Sequence, residues 1–243
     1  MKYYCILMVF FCCWCFAHQE ELFLRGNKHY AEGEHEKALT SYQLIERKGP
    51  ATWYNLGNCY YHLQNYPVAI VCWKRALKGA SSSMLHAIDD NCVTLYRQIG
   101  KEYAITRWHY LARWFMQKVM SIPLLWWQLS FLCSWIMLLF LLPAILVRTR
   151  YVVAVALMVI ICMITAGFVV RFVGENKKYA IVMQDEAPIR AGPAIDYAVI
   201  ETSCSLDELQ VVTECNDWIK VSRGTKRGWM PVDAVEIIAS PFV

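Results

Sequence analysis

The chain has 243 residues, 57% of them apolar, with 24 basic and 20 acidic side chains and a formal net charge of +4. With a mean hydropathy of +0.29, it is more apolar than an ordinary soluble domain, so membrane segments are expected. The small net charge without a basic stripe argues against a nucleic-acid binder, and the eleven cysteines lack the spacing of a zinc site or a dense disulfide framework.

Residues 1–17 read MKYYCILMVFFCCWCFA, an apolar run from Cys5 to Phe16 after one lysine. The run falls short of the roughly 20 residues that span hydrocarbon. It fits a signal peptide cleaved after Ala17, with an uncleaved anchor as the competing reading. Cys5, Cys12, Cys13 and Cys15 are apolar filler of that run.

Residues 18–100 carry helical periodicity. Trp53, Leu56, Gly57 and Tyr60 stand at i, i+3, i+4 and i+7, and Ala69, Trp73 and Ala76 follow after a break at Gln64-Asn65-Tyr66. This predicts two antiparallel helices that cross closely where Gly57 meets the Ala69 region. The same layout stands upstream: Gly26, Ala38 and Tyr42 repeat the spacing of Gly57, Ala69 and Trp73, 12 residues and then 4. The offset from Gly26 to Gly57 is 31 residues, so a tight turn before Pro50 is expected. Ser81, Ser82 and Ser83 offer N-cap oxygens to a helix with Leu85, Ile88, Cys92, Leu95, Tyr96 and Ile99 on one face, which reads either as a capping helix over the repeats or as a degenerate third repeat. These positions resemble tetratricopeptide repeats (TPR), with nearly the whole pattern in the second copy. In the first, Arg25 and His29 replace the usual leucine and tyrosine. The resemblance implies an all-α TPR solenoid whose first helices line a concave groove. Its candidate protein-binding residues are Asn27, Tyr30, Tyr54, Asn58, Tyr61 and His62. The two asparagines occupy the same place in successive copies, and an amide can both donate to and accept from an extended peptide. Ordinary exposed side chains are the competing reading. His29, His35, His62 and His86 lack a metal-binding pattern and read as solvated helix-face residues.

Residues 101–122 interleave Trp108, Tyr110, Trp114 and Phe115 with Arg107, Arg113 and Lys118. They read either as a juxtamembrane amphipathic helix on lipid headgroups or as a helical linker. Residues 123–173 read as a two-helix transmembrane hairpin, with uncharged spans at 124–147 and 151–170 joined by Arg148-Thr149-Arg150. A hairpin puts both flanks on one side of the bilayer. The basic loop and a cleaved signal place them outside; the basic flanks favour the opposite. The expectation adopted is a multi-pass membrane protein with both soluble parts on the outer side of the bilayer.

Residues 177–243 carry short β-rich runs (AIVM, LQVV, WIKVS, GWM, VEII) between turn residues, which suggests a small all-β barrel. Arg190-Ala-Gly-Pro193, Trp218-Ile-Lys-Val221 and Gly224-Thr-Lys-Arg-Gly228-Trp229 resemble a bacterial SH3-like domain, with Glu208 where a turn glycine is usual. Trp218 and Trp229 read either as an SH3-like ligand surface or as barrel filler. Cys204 and Cys215 are a pair that an oxidising compartment could join or leave free.

No nucleophile with a base, paired carboxylates or phosphate loop stands out, so no enzyme, catalytic residue, metal or cofactor is expected. The fold class expected is a multidomain membrane protein: signal, TPR solenoid, transmembrane hairpin, SH3-like barrel. That order resembles the BatE family of the Bacteroides aerotolerance operon. The resemblance implies a non-enzymatic scaffold of the bacterial inner (cytoplasmic) membrane, with both soluble parts periplasmic, in aerotolerance or envelope stress, partnered with von Willebrand factor A-domain membrane proteins and a MoxR-type ATPase. The alternative is a peptidoglycan-binding sensor acting through the barrel.

Overall fold

Helix signals in the sequence fix the first elements. The structure, a computed structural model, describes residues 18–101, 115, 118–119, 121–147, 158–169 and 177–239. It opens with α1 (18–31), α2 (His35–Gln43), α3 (Pro50–His62), α4 (Tyr66–Ala76) and α5 (Ser82–Gln98). Pro50 starts α3 and Pro67 sits in the first turn of α4, where a missing N–H breaks no helix bond. The Ser81 hydroxyl accepts from the Met84 amide at 3.3 Å and caps α5. The 31-residue offset reflects a short α2, 9 residues against 11 in α4, rather than the tight turn expected before Pro50, where residues 44–49 join α2 to α3.

The repeat is visible in the packing. At Gly57 a Cβ would lie 2.3 Å from Trp73 Cδ1, and at Gly26 one would lie 2.5 Å from Tyr42 Cε1. Each glycine thus admits the aromatic of its partner helix, and the nearest neighbour of Gly57 is Trp73 rather than Ala69. Tyr42, Leu56, Cys59 and Cys72 form one buried cluster; Ile70, Trp73, Leu77, Ile88 and Leu95 belong to a second.

Seven strands follow: β1 (Lys178–Val182), β2 (Glu186–Arg190), β3 (Val199–Cys204), β4 (Glu208–Cys215), β5 (Trp218–Arg223), β6 (Lys226–Pro231) and β7 (Val235–Ala239). Every pairing is antiparallel, in the order β3-β2-β6-β5-β4-β1-β7. The small SH3-like barrel expected is therefore corrected to one seven-stranded sheet. Its end strands β3 and β7 have no pairing with each other in that order, and β2 joins β6 through the single pair Arg190–Trp229. Ala180, Val182, Leu209, Ile219, Val221 and Met230 form the core on its inner face. Glu208, in place of the usual turn glycine, opens β4, and the left-handed residue of the preceding turn is Leu206 at φ 73°.

The repeats and the sheet belong to one compact unit. Ile181, Leu206 and Ile238 enter the buried cluster of α4 and α5. Around it, Lys74 Nζ reaches Glu208 Oε2 at 2.6 Å, Arg75 Nη2 reaches Glu236 Oε1 at 2.5 Å, and the Tyr96 hydroxyl donates to the Leu206 carbonyl at 3.0 Å.

A second unit contains α6 (Leu124–Val147) and a helix described over 158–169, α7. Phe131 of α6 stacks on Phe168 of α7 with centroids 5.9 Å apart. The expected transmembrane spans 124–147 and 151–170 are overturned: among the described residues no helix is long and apolar enough to cross a membrane. The membrane-protein fold class loses its spans with this finding. The signal at 1–17, the loop at 148–150 and most of the amphipathic segment 101–122 lie outside the described residues.

Candidate protein-binding cleft

The first helices of the repeats turn their inner faces toward α5. Tyr30 of α1 and Tyr54, Asn58, Tyr61 and His62 of α3 line one cleft of about 210 Å³, with Trp73, Asn91 and Thr94. Five of the six sequence candidates are thus brought together. Asn27 is not part of that lining.

Both asparagines serve the fold with their carbonyl oxygens. Asn27 Oδ1 accepts from the Tyr42 hydroxyl at 2.7 Å and from Asn55 Nδ2 at 2.9 Å. Asn58 Oδ1 accepts from Trp73 Nε1 at 3.0 Å and from Asn91 Nδ2 at 3.0 Å. In each copy the asparagine after the glycine therefore holds the aromatic that the glycine admits. What each offers a ligand is its Nδ2 group, a donor. Asn91 and Thr94 were not singled out in the sequence because they flank the apolar stripe of the helix, and that stripe alone was read.

The remaining lining is tied together by hydroxyls and rings. The Tyr61 hydroxyl donates to Gln98 Oε1 at 2.8 Å, and Tyr30 Oη lies 3.1 Å from His62 Nε2. The His62 ring stacks on His35, 4.2 Å between centroids and 6° between planes, while His35 Nδ1 is buried without a hydrogen-bond partner. His35 is half-buried by this contact, whereas His62 stays exposed on its helix face, as expected of it. Burial, and then His35, push the His62 pKa down, while burial, then Cys59 and Tyr54, push that of Tyr30 up. No Lys, Arg, Asp or Glu lines this cleft among the described residues. At neutral pH it offers uncharged rings, hydroxyls and amides.

The other candidates sit elsewhere. Trp218 and Trp229 are half-buried on β5 and β6. Lys220 pairs directly opposite Trp229, and its ammonium lies 5.7 Å from the indole centroid. With Ile219, Val221 and Met230 turned inward, both tryptophans share the outer face. Cys204 and Cys215 are both free and exposed. His29, Glu32 and Glu34 are the group whose ligand atoms could meet around an ion, within 4.8 Å of one another. Lys37 Nζ already donates to Glu34 Oε1 at 2.7 Å and compensates its charge.

No curated protein matches the chain. The model of the tetratricopeptide repeat family matches residues 50–78, the stretch of α3, α4 and the turn after them. Such repeats are typically non-catalytic modules for protein–protein interaction, and the cleft lies against the pair of helices that carries the match.

Proposed function

We propose that this protein is a non-enzymatic adaptor whose repeats hold an extended, uncharged segment of a protein partner in the cleft of Tyr30, Tyr54, Asn58, Tyr61 and His62. The observation that carries the reading is the lining itself: aromatic faces, a free amide donor at Asn58 and no charged side chain among the described residues. Tyrosine faces give large contact area with few rotatable bonds, and a neutral lining gives an acidic or basic tail no partner for its charge. The partner class that the BatE resemblance implies is a von Willebrand factor A-domain protein working with a MoxR-type ATPase. That assignment rests on the order of segments read in the sequence, of which the repeat at residues 50–78 has a family match.

The test is fluorescence anisotropy of the full chain with labelled twelve-residue segments of such a partner, sorted into neutral, acidic and basic sets. A neutral segment binds, and Tyr54→Ala or Tyr61→Ala weakens it by about tenfold or more, as losing an aromatic anchor does. Binding confined to charged segments, or unchanged in both variants, removes the cleft from the account.

A further inference from the structure

A second cleft opens where α3 and α4 face the sheet. We propose that it binds a small amphipathic carboxylate, with the carboxylate on Lys48 and the apolar body against Trp53, Leu56, Val71 and Met183.

The cleft holds about 300 Å³, at the small end of ligand sites and equal to the liquid volume of roughly ten waters. Its wall is apolar: Leu56 and Val71 are buried, and Trp53 and Met183 are half-buried. Two cations stand near the Trp53 ring, Arg75 Cζ at 5.0 Å and Lys48 Nζ at 5.9 Å. They are not equivalent. Arg75 is matched by Glu236, whereas Lys48 donates to the carbonyls of Gln43 and Ile45, at 3.0 and 2.6 Å, and forms no ion pair among the described residues. An uncompensated ammonium beside an apolar wall favours an anion with an apolar body and repels an amine. The Cys72 thiol in the lining has its pKa pushed up to about 12 by burial, so it stays protonated and the binding is non-covalent. Met183 and Glu236 come from the sheet side and the other lining residues from the repeats. A bound carboxylate therefore bridges the two and raises their joint stability.

The experiment uses the full chain with three probes of one shape: phenylbutyrate, phenylbutanol and phenylbutylamine. Saturation-transfer NMR detects contact, and calorimetry gives affinity. Phenylbutyrate binds, the alcohol binds about tenfold more weakly, and the amine gives no signal, as one charge-assisted hydrogen bond dictates. Lys48→Met reduces phenylbutyrate binding by a similar factor, while Lys48→Arg retains it. Val68→Trp fills the cleft and removes the signal, with an unchanged far-UV spectrum as the control for folding. Equal binding of the three probes, no binding by any, or phenylbutyrate binding that survives Lys48→Met overturns the assignment.

Discussion

Gly57 is the residue on which the second repeat closes. Its missing side chain is filled by the Trp73 indole, which is 1% exposed and donates to Asn58 Oδ1. Glycine in a helix costs about 1 kcal/mol against alanine, so alanine here would be favoured by the backbone. The packing decides otherwise, because a Cβ 2.3 Å from an indole carbon forces a large, hydrogen-bonded side chain to move. Gly57→Ala is expected to destabilise by about 1–3 kcal/mol, as overpacking does, read as a lower urea midpoint. With Trp73→Leu added, the double variant loses less than the sum of the two single losses, since the clash is gone. Strict additivity would show that Trp73 does not limit the site.

Among the elements, α3 and α4 were the most legible in sequence. Their apolar residues keep a strict helical period, and Pro50 and Pro67 mark their starts. The strands were legible as runs, such as Trp218–Arg223 with its alternation of half-buried and buried residues. Their order was not, because β1 pairs with β7, whose residues lie over fifty positions later. The turn before β4 shows what sequence pattern missed when it looked for glycine. Leu206 takes the left-handed conformation there, and Asp207 holds the turn. Asp207 Oδ2 accepts from the Cys204 amide at 2.9 Å and the Ser203 hydroxyl at 3.0 Å, and pairs with Arg223 at 2.7 Å. Burial pushes the Asp207 pKa up, but the Cys204 amide, Ser203, Arg223 and Lys101 outweigh it, and the net shift is down from 3.8. A depressed folded pKa means stability that is fully present well above 3.8 and lost as pH falls through the folded value. Asp207→Asn is expected to cost about 1–3 kcal/mol at neutral pH. Its deficit against the parent chain shrinks as pH drops below 3.8. Urea midpoints for both proteins between neutral and acid pH measure this, and a gap that widens in acid contradicts it.

For the whole molecule, the association of repeats and sheet is what the sequence withheld. Lys74 and Glu208 are 134 residues apart in the chain, and neither carries a local pattern that names the other. The cleft was more legible, because Tyr54, Asn58, Tyr61 and His62 share one helix whose period is readable. Its Asn91 and Thr94 come from a helix that the sequence offered as a cap or a degenerate third repeat, with no groove residues named on it. Ile238 lies at the centre of the association: 2% exposed on β7, it belongs to the same buried cluster as Ile70, Trp73 and Leu95. A shared core makes the two parts one cooperative unit rather than two domains that open independently. Ile238→Ala removes apolar atoms from both, and it is expected to destabilise by about 2–5 kcal/mol. The discriminating readout is native-state hydrogen exchange. If the unit is cooperative, the amides of Ile70 and Trp73 in α4 lose protection together with those of β7, although no residue of the repeats was changed. If β7 alone loses protection and α4 keeps its own, the repeats fold without the sheet. The cleft between them would then be a contact of two separable bodies rather than a built site.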